Sequence, residues 1–225
     1  MIHPRDILPR QQVLFPFAKL RRALGRVPPS QWGTPGHPAL PSFERAFASA
    51  LSLGHAIALG GGRQALGLIL EALQLPAGAD IAMPAFTFHA LPGVVLGLGF
   101  TPHFVDVCPE TFNVQPEALR AALQKNPRIK AALVTHTFGV RAPIADLVEA
   151  CRPFAVPLIE DCAHALDPTA AATKSALNQD APPSQSAASF FSLETSKQLN
   201  AMGGGVAGTN DDALAARMRS LMTMA

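Results

Sequence analysis

Apolar residues along this chain follow two alternating rhythms. Short continuous apolar runs at 55–59, 81–83, 103–107, 130–135 and 156–160 predict strands. Between them, apolar residues recur at helical spacing, which predicts helices over 63–75, 88–98, 116–124 and 144–151. The first of these helices is apolar on most sides, through Leu66, Ile69, Leu70 and Leu73, and is expected to be buried. Short strands alternating with helices predict an α/β fold: right-handed βαβ units forming a mainly parallel sheet sandwiched by helices.

The rhythm is absent in two places. Residues 1–41 are rich in proline, glycine and arginine and read as an irregular N-terminal arm. A helix follows, with Ser42 as its expected cap, Glu44 in its first turn, and Phe43, Phe47 and Leu51 on one face. The large domain is therefore expected over 42–225. Residues 168–186 (PTAAATKSALNQDAPPSQS) are small, polar and proline-containing, and predict a surface insert. Order resumes with strands at 187–192 and 206–209 and a helix over 211–222, for which Asn210 is the expected N-cap. No internal repeat is present.

At 225 residues and 48% hydrophobic, the chain can bury a sizeable core as one large domain. A formal charge of +2 and the lack of any Lys/Arg-rich run argue against nucleic acid as a partner. The apolar run 91–107 is too short and too interrupted to span a bilayer, and residues 1–12 have no apolar core of a signal peptide. The three cysteines, Cys108, Cys151 and Cys162, form no CxxC pair and fit reduced thiols. A cytoplasmic protein with no membrane contact is the expectation.

Four features fall at the carboxyl ends of predicted strands, where open α/β sheets bind ligands. Gly60-Gly61-Gly62 precedes a helix whose free N–H groups, at Arg63 and beyond, favour a phosphate; a flexible turn would look the same. Glu160-Asp161-Cys162-Ala163-His164 offers a carboxylate awaiting a cationic partner, or a cap for the following turn. A metal held by Asp161, Cys162 and His164 is not expected, because no further ligands stand at suitable spacing. Ser192-Leu-Glu-Thr-Ser-Lys197 places a lysine where partial burial would free its amine as a nucleophile, although a surface lysine is the commoner outcome. Pro84-Ala-Phe-Thr-Phe-His89 brings two aromatics, of which Phe86 is expected to pack in the core.

In order and spacing, these features resemble the DegT/DnrJ/EryC1/StrS family of fold-type-I aminotransferases, which depend on pyridoxal 5'-phosphate (PLP). The resembling stretches are FERAFASAL (43–51), GGRQAL (61–66), MPAFTFHA (83–90), GFTPHFVDV (99–107), THTFGV (135–140), PLIEDCAHAL (157–166) and FFSLETSKQLNAMGGGVAGTN (190–210). The resemblance implies that Lys197 carries PLP as a Schiff base and moves the proton, and that Asp161 pairs with the ring nitrogen. It implies that Phe88 stacks on the ring, that Ser192 with Gly62 and Arg63 holds the phosphate, and that His164 stands near the ring hydroxyl.

The sequence departs from the family pattern in four ways. Arg63 stands where relatives carry a hydroxyl, and SLETSK lacks their aromatic and proline. The insert at 168–186 is longer than usual and lacks a Gly-Asp. The chain also stops at Ala225, where relatives continue into a small C-terminal domain. The implied function is amino transfer from an amino acid to a keto-sugar nucleotide. The partners expected are those small molecules, a second copy of the chain as in a homodimer, or a complementary C-terminal polypeptide. Another PLP reaction on the same fold, or a silent chain that only binds PLP or a partner, are the rival readings.

Overall fold

The computed structural model describes residues 37–165 and 186–224. Most of the N-terminal arm, and the insert apart from Ser186, lie outside the described residues.

The chain runs α1 (Ala39–Ala50), β1 (His55–Leu59), α2 (Gly62–Ala72), β2 (Asp80–Pro84), α3 (Ala90–Gly97), β3 (Thr101–Val105) and α4 (Pro116–Lys125). It continues through β4 (Ile129–Thr135), α5 (Ile144–Cys151), β5 (Leu158–Asp161), β6 (Ala188–Ser192), β7 (Gly205–Thr209) and α6 (Asp212–Met224). Among the described residues, the seven strands form one sheet in the order β1-β7-β6-β5-β4-β2-β3. Strand β7 runs antiparallel to both neighbours, β1 and β6, and the remaining pairs are parallel. This is the expected mainly parallel α/β sheet.

Side-chain alternation along the strands divides the core in two. Ile81, Met83, Leu133, Ile159 and Phe190 point to one face, where Leu66, Ile69 and Leu70 of α2 and Met218 of α6 cover them. Ala132, Val134 and Leu158 point to the other face, beneath Leu119 of α4 and Leu147 of α5. Further along that face, Phe47 of α1 meets Phe191 edge-on at 5.1 Å. Burial on both faces is why the central strands are continuously apolar in sequence. The strand expected at 103–107 is instead Thr101–Val105. Pro102 is tolerated because β3 is an edge strand with one side unpaired.

Two helix starts differ from expectation. Helix α1 begins at Ala39, before Ser42, because the His37 ring accepts the Ala39 N–H through Nδ1 at 3.1 Å. Ser42 lies inside the first turn, and its hydroxyl donates back to the Ala39 carbonyl at 3.3 Å. At α6, Asp211 is the cap: its Oδ1 accepts the N–H groups of Ala213 (2.8 Å) and Leu214 (2.9 Å). Asn210 instead accepts the Gly54 N–H at 2.6 Å, tying the start of β1 to the end of β7. Glu44 leaves the helix surface to protect the open edge of β1. Its carboxylate accepts the Ala58 N–H and an Arg219 N–H, both at 2.9 Å, and Arg219 also donates to the Ala56 carbonyl. No helix among the described residues is long and apolar enough to cross a membrane.

Candidate active site

A cavity of about 900 Å³ opens at the carboxyl ends of the parallel strands. Gly62, Arg63, Phe88, Asp161, His164, Ser192 and Lys197 all line it, so the fold brings together the residues to which the resemblance gives a role.

One end is built from backbone. Gly61 is the extended residue before α2, and the first bond within the helix runs from the Ala65 N–H to the Gly61 carbonyl. The N–H groups of Gly62, Arg63 and Gln64 are therefore not used inside the helix, and no side chain among the described residues caps its start. Gly62 sits so close to β6 that an added Cβ would stand 3.3 Å from the Ser192 Cβ. The turn is backed by a second glycine run: Gly61 bridges to Gly204, and a Cβ on Gly205 would overlap the Gly61 carbonyl group. Free amides at the positive end of a helix, with the Ser192 hydroxyl and the Arg63 guanidinium alongside, suit an oxyanion.

Further in, Asp161 ends β5 and is 4% exposed. Its Oδ1 accepts the Ala163 N–H at 2.9 Å, and Oδ2 accepts the Thr135 hydroxyl at 3.5 Å. Burial pushes its carboxyl above the ordinary range; the Ala163 N–H, then Lys197, His136 and Thr135, hold it down. Lys197 lies in the turn after β6, its N–H donating to the Glu194 carbonyl at 2.9 Å. Burial draws the Lys197 amine below its ordinary range, against the attraction of Asp161 and Glu194. His164 is lowered too, by burial and then by Lys197. A half-buried amine beside a buried carboxylate can act as a nucleophile and proton carrier.

Phe88 stands in the cavity wall with its ring exposed. The core-packing expectation for Phe86 is corrected: it is 45% exposed and meets Phe112 at 5.1 Å and Phe138 at 6.0 Å. The strand that precedes it ends at Pro84, so the ring leaves the sheet before it can be covered. Thr135, Thr137, Phe138 and Glu194 also line the cavity, and none of them is assigned a role by sequence reading alone. Phe138 holds a left-handed backbone (φ 54°), and its ring lies parallel to His164 at 6.2 Å. Polar residues at the end of β4, within THTFGV, are the signal that points to this segment.

Below the cavity, on the opposite face of the sheet, His136, Glu160 and Cys162 bring three ligand-type atoms within 4.8 Å of one another. The His136 Nδ1 already accepts the Ala142 N–H at 3.1 Å, which leaves Nε2–H to donate to Glu160 at 3.0 Å. Burial and the neighbouring carboxylates keep the Cys162 thiol well above its ordinary pKa. The cluster is thus hydrogen-bonded internally, with no ring lone pair directed at the other two residues.

Residues 18–225 match the profile of the DegT/DnrJ/EryC1/StrS aminotransferase family. GDP-perosamine synthase of Caulobacter vibrioides is 35% identical over 179 residues, which is 80% of this chain and 46% of that protein. L-glutamine:2-deoxy-scyllo-inosose aminotransferase of Streptomyces kanamyceticus is 33% identical over 179 residues, 80% of this chain and 40% of that protein. Among solved structures, DesI in the presence of its TDP-sugar product superposes with a TM-score of 0.76 at 32% identity, covering 92% of this chain and 49% of that one. The chain therefore spans about half the length of the relatives it matches.

Proposed function

The chain belongs to the DegT/DnrJ/EryC1/StrS aminotransferase family, and from that premise we propose that it serves PLP-dependent amino transfer from an amino acid to a keto-sugar nucleotide. The observation that carries this reading is that one cavity is lined by the buried Asp161 carboxylate, the half-buried Lys197 and the amide cradle of α2. Asp161 fits a cationic ring nitrogen, because its own surroundings leave the cost of burial only partly met. The cradle fits a phosphate. PLP, when bound, supplies an electron sink for the substrate carbon.

The chain's own groups divide the remaining work. Arg63, Ser192 and the amides from Gly62 onward hold the phosphate, and Asp161 keeps the ring nitrogen protonated. Phe88, in the cavity wall, would cover one ring face. Lys197 anchors the cofactor and carries a proton to and from the substrate carbon, a task suited to an amine that loses its proton readily. His164, stacked against Phe138, would stand near the ring hydroxyl. The sugar-nucleotide acceptor is supported by the GDP-perosamine synthase and DesI likenesses. Self-association is part of this reading, since Phe86, Phe112 and Phe138 form an exposed aromatic cluster at the cavity mouth. A monomer by light scattering would count against that part.

The test is incubation with PLP, borohydride reduction and peptide mapping. The label is expected on Lys197, already at a pH below the ordinary lysine range. A label on Lys174, or none, overturns the assignment. Release of a keto acid from an amino donor only when a keto-sugar nucleotide is present tests the substrate class.

A further inference from the structure

The His136–Glu160 pair lies outside the cavity, yet the bonds of His136 lead to the segments that line it. Both side chains are almost wholly buried, at 3% and 4% exposure. The β4–β5 ladder ends at Thr135 opposite Asp161. Alternation along β5 sends Asp161 into the cavity and Glu160 through the opposite face, where the His136 Nε2–H meets it at 3.0 Å. The Ser186 hydroxyl donates to the other Glu160 oxygen. The His136 backbone N–H donates to the Asp161 carbonyl at 3.1 Å. Its carbonyl accepts the Gly139 N–H at 3.2 Å, and its Nδ1 accepts the Ala142 N–H at 3.1 Å. Those last two bonds close the loop that turns through left-handed Phe138 and Gly139 and carries Thr137 and Phe138 into the cavity wall.

We propose that His136 is a positioning residue of the active site: its bonds to Glu160 and to the Asp161 carbonyl pin the end of β5 and so fix Asp161 for Lys197, while its bonds from Gly139 and Ala142 pin the Phe138 loop. It acts through those residues and touches neither substrate nor cofactor. A buried, fully bonded imidazole is a stiff link, and losing one partner leaves a buried polar group unmet. The inference rests on Lys197 and Asp161 being the cofactor groups, but its test does not require PLP.

Two variants separate the bonds. In His136→Asn the side-chain oxygen sits where Nδ1 was and keeps the Ala142 bond, but cannot reach Glu160. In His136→Gln the amide N–H reaches Glu160, but the acceptor for Ala142 is lost. The readout is the pH midpoint for acylation of the Lys197 amine in PLP-free protein, followed by mass spectrometry. Asp161 raises that midpoint against the effect of burial. If the Glu160 bond holds Asp161 in place, His136→Asn moves the midpoint to lower pH, in the same direction as Asp161→Asn, and His136→Gln restores it. A general loss of packing would lower the melting temperature without moving the midpoint. Wild-type midpoints in both variants, or equal shifts in both, overturn the proposal. Should His136→Asn fail to fold, His136→Gln carries the test alone: the proposal requires an unmoved midpoint with faster amide exchange at 137–141. A wild-type chain that takes up no PLP defeats the proposed function, while the midpoints still decide the role of His136.

Discussion

Asp161 carries the clearest tension between stability and use. Its carboxyl titrates above the ordinary value of 3.8 because burial outweighs the groups that favour its charge. Between 3.8 and the raised value, the folded chain binds more protons than the unfolded one, so stability falls as pH rises through that window. Asp161→Asn removes this loss. The PLP-free variant is expected to melt above wild type at neutral pH, with the gain closing as pH drops towards 3.8. The same variant should lose most of its PLP-dependent half-reaction, because a neutral partner no longer holds the ring proton. Equal melting temperatures across that range would show that Asp161 bears no net cost. At this scale, the grouping of much of the candidate site at strand ends is legible in the amino-acid sequence alone. Lys197, Asp161, Ser192 and Gly62 sit next to strand ends, and strand ends can be read from apolar runs. Phe138 and His136 are not legible in this way: their roles depend on a left-handed turn and on contacts with Glu160 and Ala142, which periodicity does not encode.

Among elements, β1 is exposed at the edge of the sheet, and α1 and α6 jointly close it. Glu44 and Arg219 occupy the Ala58 N–H and the Ala56 carbonyl, the groups a foreign strand would otherwise take. Glu44→Ala strands that N–H and half of the Arg219 pairing, and is expected to cost about 1–3 kcal/mol. It should also raise the tendency to aggregate; a lowered urea midpoint together with increased light scattering checks both. An unchanged midpoint would mean water serves the edge equally well. Local sequence puts Glu44 in a first turn and says no more, because a partner 175 residues away leaves no local trace. The same limit explains the shift of the α6 cap from Asn210 to Asp211. Both residue types cap well, and only the distant Gly54 N–H decides which is free to do so.

For the whole molecule, apolar periodicity is enough to foresee an α/β sheet clad by helices, since alternating short strands and helices admit few other arrangements. The reversal of β7 is not foreseeable from it, because apolar runs carry no direction. That reversal brings the 203–205 glycines against the 60–62 glycines, and a partner for β1 arrives only when the chain has nearly doubled back on itself. Gly54 and Asn210, which join the two strands, are 156 residues apart. At about 5–20 residues per second, a ribosome takes roughly ten to thirty seconds to cross that interval. Throughout that wait the first strand and its glycine turn have been made, but β7, their partner among the described residues, has not. A nascent chain stalled before residue 205 should leave the His55–Leu59 amides open to exchange and should ignore PLP, whereas one released past α6 should protect them. Amides already protected in the stalled chain would show that β1 finds another partner first. The groups that would grip a phosphate are thus made well before the strand that completes their cradle.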